Sequence, residues 1–553
     1  MKSSRQRTAH RRRLRILVLA LTVGCGLSAV SSRASAQDLR DRFNIRLIVQ
    51  GLYMAEQNSA IPAGYGREAQ AASPFELGYG ELRAIIDGRR LPGNFELHID
   101  GRVRISGNFS TDAAQQGADQ IVARGYLGGR EYELRSTYVR RRGENVDFAL
   151  GRLVVPEADA LKIDGLRLWW RLAKHWDASV YAGLYPNPFS RSLTSDYAGG
   201  LAIAGGLDTT YTYDKIWGSV SVSSSYLSGN DDGGPLPATI NDPASTAGVV
   251  GKVQTEAPRT WITWTDYVRL LSWLDIFTDV VLDVTGSAGV ELTRLDAQAN
   301  IRAGKHLTIR LGYDHLSSFA IEMWLTKLLA SRVDHQAGTI ENNLVVNRTA
   351  RDQVYGNIDV TFDKLSLFGE GRFRKRAIVS LSDDPQFAVA GNQVAPGTAW
   401  DATLGIRDRG SLAGLRPALW GMYLADYRTK GFIMGMELGR SFADDRLSID
   451  LSFLYSSTSD QGANNPMVGP CVGPPASIAS VYNNCYGTRA GATYEAGLTI
   501  TAAPSLHWFA FLDYRLVADT SGGYVVPPGG TMATLPQPTI LTHVLLLRIE
   551  ARY

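Results

Sequence analysis

The sequence predicts an all-β fold, a single antiparallel transmembrane β-barrel of about 18–22 strands with 22 as the best count. Three observations predict it. Apolar and polar residues alternate with period two over runs of ten residues or more along most of the chain. The connections between those runs are alternately short and long. The chain also ends in a half-apolar strand, "THVLLLRIEARY", whose last residue is the aromatic Tyr553. Soluble strands average about 5–6 residues, whereas a tilted strand crossing a bilayer needs about 9–11.

Taken in chain order, the first element is an export signal. Residues 1–36 join a basic stretch, "KSSRQRTAHRRRLR", to the apolar run "ILVLALTVGCGLSAV". Small residues at Ala34 and Ala36 then place cleavage before Gln37. The apolar run is shorter than the roughly 20 residues of a spanning helix. A lipobox reading of "TVGC", ending at Cys25, is disfavoured by Thr22 at its first position. The expected organisation is therefore a signal peptide over 1–36 and one barrel over 37–553. The signal carries eight basic residues and no acid, so the formal net charge of +3 for the 553 residues becomes −5 without it. That balance excludes a strongly basic nucleic-acid binder.

The strands follow. Period two and turn residues mark 43–53, 75–87, 94–106, 131–142, 144–153, 165–175, 176–184, 199–213, 215–228, 258–270 and 272–284. They continue with 288–301, 304–315, 350–362, 364–376, 398–410, 415–427, 430–441, 445–457, 487–503, 504–517 and 539–553. In "NFELHIDGRVRIS", Phe95, Leu97, Ile99, Val103 and Ile105 oppose Glu96, His98, Asp100, Arg102 and Arg104. Even connections are short, such as "DK" and "ADD", and every long one is odd: 54–74, 107–130, 229–257, 316–349, 377–397, 458–486 and 518–538. Alternate connections of an up-and-down barrel lie on opposite rims. All long loops thus share one rim, as in outer-membrane barrels with short periplasmic turns. In hydrocarbon each unpaired backbone group costs several kcal/mol, so the last strand is expected to pair with the first. Tryptophans 169, 170, 176, 217, 261, 264, 273 and 508 fall near strand ends and suit interfacial girdles.

The inward rows supply the candidate site. Arg102, Arg104, Arg135, Arg152, Arg167 and Arg171, with Glu96, Asp100 and Glu133, are expected to line a pore. The six arginines suggest a basic ladder for anionic solutes, and nearly balanced signs overall suggest weak ion selectivity. Cys471 and Cys485 flank a Gly/Pro-rich stretch and are expected to form a disulfide outside the cytoplasm. "AIEMWLTKLLASR" places Ile321, Trp324, Leu325, Leu328 and Leu329 at helical spacing, for a constriction within the pore or an amphipathic helix on the rim. "GYDHLSS" brings His315 and Ser317 to one face with no third catalytic partner, and no metal or nucleotide motif appears, so neither an enzyme nor a cofactor is expected. Only Gln37 to Arg42 separate the signal from the first strand, too little for a plug of an energised transporter.

Residues 131–170, "EYELRSTYVRRRGENVDFALGRLVVPEADALKIDGLRLWW", resemble a segment of bacterial outer-membrane porins of the alginate-export and phosphate-selective kind. Tyr138, Val139, Gly151, Arg152, Asp164 and Gly165 carry the match over about 40 residues, and Leu153 stands where the family usually has Gln. The resemblance implies a diffusion or export channel. Separately, the ending at Tyr553 resembles the C-terminal strand of outer-membrane barrels, which implies that the barrel-assembly machinery reads it. The expected function is passive diffusion of hydrophilic solutes across a Gram-negative outer membrane. Polymer export and a surface barrel that binds a partner through its loops are the alternatives. The expected partners are lipid, lipopolysaccharide, the assembly machinery and the solute, with the oligomeric state open.

Overall fold

The computed structural model describes residues 42–57, 75–108, 130–186, 201–229, 255–256, 259–286, 289–317, 350–377, 397–410, 412, 414–426, 429–460, 491–520 and 540–553. The signal expected over 1–36, the disulfide expected between Cys471 and Cys485, and the helical spacing read between Ile321 and Leu329 lie outside the described residues.

The chain forms one closed antiparallel barrel of 22 strands. The first eleven are β1 Phe43–Gln57, β2 Phe75–Leu91, β3 Phe95–Asn108, β4 Arg130–Arg141, β5 Val146–Val155, β6 Leu161–Ala173, β7 Trp176–Leu184, β8 Leu201–Thr212, β9 Ile216–Gly229, β10 Arg259–Leu271 and β11 Leu274–Gly286. The others are β12 Gly289–Ala303, β13 Leu307–Ser317, β14 Ala350–Phe362, β15 Leu365–Ala377, β16 Gly397–Asp408, β17 Leu415–Ala425, β18 Thr429–Phe442, β19 Leu447–Asp460, β20 Gly491–Ser505, β21 Trp508–Asp519 and β22 Ile540–Arg552. The short stretch Thr255–Glu256 extends β10, because both pieces pair with β9 in one register.

Each strand pairs with its neighbours in sequence, and β22 returns to β1, from Arg46 opposite Arg552 to Gln57 opposite Leu541. Beyond the last strand, Ile45 and Tyr553 exchange two backbone hydrogen bonds at 2.9 and 2.8 Å. Closure leaves no edge at this seam. The half-apolar terminal strand is thereby explained. Leu545, Leu547, Ile549 and Tyr553 point outward and are exposed, while Glu550 on the opposite face is buried.

The outward rows are apolar all round the barrel. Leu150, Ile105, Val354 and Leu404 are each more than half exposed. Such a surface is stable in lipid and not in water. Aromatic pairs mark both ends of the belt. His175–Tyr213, Trp176–Tyr211, His306–Phe362 and His507–Tyr553 lie at the short-turn rim. Trp400–Tyr423, Phe432–Tyr455 and Tyr455–Tyr494 lie toward the long-loop rim. Two tryptophans assigned above to girdles depart from that expectation. Trp261 is buried on the inner face, and Trp169 packs against the cluster that includes it.

Candidate channel lumen and its inward hairpin

The inner rows hold arginines and carboxylates in mutual contact. On β2 to β4, Arg83 grips Asp100 with two hydrogen bonds of 2.8 and 2.7 Å. Glu81 accepts from Arg104 at 2.7 Å and from Arg102 at 3.2 Å, and Arg102 also reaches Glu133. Three guanidinium groups therefore meet three carboxylates, and the early basic rows carry little net field. Glu96 pairs with Arg142 at 2.9 Å. At the closure seam the balance differs. Glu550 alone serves Arg548 at 2.7 Å, Arg552 at 2.8 Å and Arg46 at 3.4 Å. Across the barrel Asp401 serves Arg372 and Arg374, and Asp275 serves Arg269 and Arg302. Charge-assisted pairs of this kind hold long side chains flat against the wall.

Arg135 stands apart. The β3–β4 register shifts between Asp100 and Gly101, so Ser136 faces Asp100 and Leu134 faces Gly101. Arg135 is the extra residue of this bulge. It is exposed and has no ion-pair partner among the described residues. Strict alternation places it with Glu133, and the bulge removes it from that row.

Arg152 and Arg167 do not project into open lumen. They hold an inward-folded hairpin made of β5, a single 3-10 turn at Pro156–Ala158, and β6. Gly151 starts the departure from the wall. Its φ is +133°, and a Cβ there would come 2.2 Å from Thr137 O, so only glycine fits. Gly165 opposite it meets the same limit, with Ala182 O 2.0 Å from a built Cβ. Past these residues Leu153, Val155, Ala158, Leu161 and Ile163 bury themselves against Tyr181, Ala204, Trp261 and Val281 on the inner wall. The wall makes room with small side chains: Ala202, Ala204 and Gly206 on β8, and Ser219, Ser221, Ser223 and Ser225 on β9.

Polar contacts fix the tip. Arg167, only 4% exposed, donates to Asp208 at 3.0 Å, to Glu157 at 2.9 Å and to Ser179 at 2.9 Å. Its guanidinium lies 4.6 Å from the Trp169 ring centre. Thr263 donates to Glu157 O, and Trp261 Nε1 donates to Ala158 O at 3.4 Å. Arg294 on β12 reaches Asp159 at 2.8 Å. The hairpin thus occupies the lumen beside β8 to β12. Arg171, nearer the short-turn rim, pairs with Asp147 at 3.4 Å and donates to Gly143 O and Glu144 O.

His315 and Ser317 form no pair. His315 contacts Asp352 at 2.7 Å on the outer face, and Ser317 donates to Glu291. Among the described residues no group of metal-binding side chains occurs.

No family model matches the chain. No curated protein matches it either. Among solved structures, two of the ferric enterobactin receptor PfeA from Pseudomonas aeruginosa superimpose with TM-scores of 0.51 and 0.50. Each is 10% identical and covers 93% of this chain and 80% or 81% of that chain. OccAB3 from Acinetobacter baumannii aligns over 92% of this chain and 99% of its own at 8% identity, with a TM-score of 0.35. The receptor structures share the fold, a large closed barrel, and at this identity the likeness extends no further than the fold.

Proposed function

We propose that this chain is an outer-membrane channel for passive diffusion of hydrophilic solutes. The observation that carries the reading is the contrast between the two faces of one sheet. The outside is an apolar belt between aromatic rings, and the inside is lined with compensated Arg–carboxylate pairs. A wall of that kind keeps water in the lumen and lipid outside. In this reading the short turns face the periplasm and the long loops face outward, next to lipopolysaccharide. Residues 1–36 direct export, and the assembly machinery reads the strand ending at Tyr553. The hairpin at 151–165 narrows the path, and Arg102, Arg104, Glu133 and their partners hydrate the wall. Because those charges cancel, the channel discriminates weakly between cations and anions.

Single-channel recording in a planar bilayer tests this. Large ohmic steps with a reversal potential near zero in a salt gradient are expected. A silent bilayer, from protein shown to be folded, would overturn the reading.

A further inference from the structure

A seam of the barrel wall is closed by side chains in place of a backbone ladder. β4 pairs with β3 along its whole length, from Arg141 opposite Phe95 to Arg130 opposite Ile105. On its other side it pairs with β5 only from Arg141 to Thr137. Beyond Gly151 the β5–β6 hairpin has turned inward. Among the described residues, 130–136 therefore have a strand neighbour on one side alone. An open edge at membrane depth costs several kcal/mol per unpaired group. Here side-chain contacts bridge it, two of them among the described residues. Arg152 Nη1 donates to Leu134 O at 2.9 Å, and Lys162 Nζ stands 3.7 Å from Glu133.

Outside these bridges lies a recess of about 390 Å³. Leu134, Thr137, Leu150, Gly151 and Gly165 line it, with the Arg152–Asp164 pair as its floor. Thr137 and Leu150 belong to the outward row that also carries Val139 and Leu166, all exposed except the half-buried Thr137. The recess thus opens on the surface that faces lipid. Its inner rim is polar, where Glu133 meets both Lys162 and Arg102.

We propose that this seam is a lateral gate that takes the alkyl chain of an amphiphile from the membrane. The chain enters the recess between Leu134 and Leu150, and the polar head turns to the charged rim at Glu133 and Lys162. Parting the seam breaks side-chain contacts, Arg152 to Leu134 O and Lys162 to Glu133 among them, and no strand ladder between the described residues. The inference rests on the membrane setting proposed above and adds a sideways route to the axial one.

A long-chain fatty acid bearing a diazirine tests it, added to the full-length protein in phosphatidylcholine vesicles, photolysed and mapped by mass spectrometry. Labelling between Leu134 and Leu150 is expected to saturate and to be competed by unlabelled fatty acid. Thr137→Trp, which fills the recess from outside, is expected to weaken it about tenfold. Leu150→Trp serves as a second filled variant if the first folds poorly. Labelling that is not competed, or that survives in both folded variants, would overturn the gate. Conductance of the same preparations separates the two ideas. Conduction without competed labelling sinks the gate alone, and competed labelling without conduction sustains the gate while sinking the axial channel.

Discussion

Three guanidinium groups share the carboxylate of Glu550, which is 1% exposed while its partners are 39% to 53% exposed. Removing that charge leaves Arg46, Arg548 and Arg552 facing one another with no compensation. A fully buried pair would lose roughly 3–5 kcal/mol on losing one partner. Here solvent screens the three arginines, so Glu550→Gln is expected to cost about 1–2 kcal/mol. The urea midpoint of the folded barrel in vesicles checks this, and the reversal potential should move toward anion preference. Gly151 is the other decisive position, because its backbone conformation and the nearness of Thr137 O both refuse a side chain. Gly151→Ala should destabilise by about 1–3 kcal/mol, the usual cost of forcing an L-residue into such a conformation. An unchanged urea midpoint for Gly151→Ala would mean that the hairpin does not depart from the wall there.

The elements were legible in the sequence to differing degrees, for a physical reason. A strand between lipid and water must alternate, so period two finds all 22, including weak ones such as Leu415–Ala425. The inward hairpin obeys no such rule. Sequence reasoning ends one strand at 153 and starts the next at 165, whereas the structure extends them to Val155 and back to Leu161. In "LVV", Leu153 and Val155 bury against the lumen wall while the equally apolar Val154 is exposed on the other face, so no apolar–polar alternation marks the strand. A readable sign did exist on the receiving wall. "GSVSVSSS" puts serine at every inward position from 219 to 225, smaller than a wall facing open water requires. Arg135 failed for another reason, since a bulge shifts the parity that alternation assumes. The seat supplies a prediction. Ser221 is fully buried and hydrogen-bonds Thr263 at 2.6 Å. Ser221→Val overpacks that contact, and an expected cost of about 1–3 kcal/mol falls on the hairpin's docking. Single-channel conductance should rise as the hairpin loosens, and Arg294→Ala, which frees Asp159, should shift it the same way. Unaltered conductance in both variants would mean that the hairpin does not limit flow.

For the whole molecule, stability and closure are one property. Each strand is held by two neighbours, and β22 is the strand that both β21 and β1 need. Deleting 540–553 would expose two ladder edges at once, where water cannot satisfy them. Because open sheets do not persist in hydrocarbon, the loss is expected to be cooperative and complete rather than confined to the seam. Such a truncation should show no heat-modifiable folded band on electrophoresis and no protease-resistant core in vesicles. Tyr553→Ala leaves every ladder bond of β22 in place and removes one aromatic at the short-turn rim, where Tyr553 stacks on His507 at 6.5 Å. Its equilibrium stability should fall by less than about 1.5 kcal/mol. If the assembly machinery reads that aromatic, as proposed, the variant should fold normally in detergent yet accumulate slowly in the outer membrane. Pulse-labelled appearance of the heat-modifiable form in cells, set against refolding of the purified chain, separates the two effects. Equal defects in both would place the role of Tyr553 in barrel closure itself.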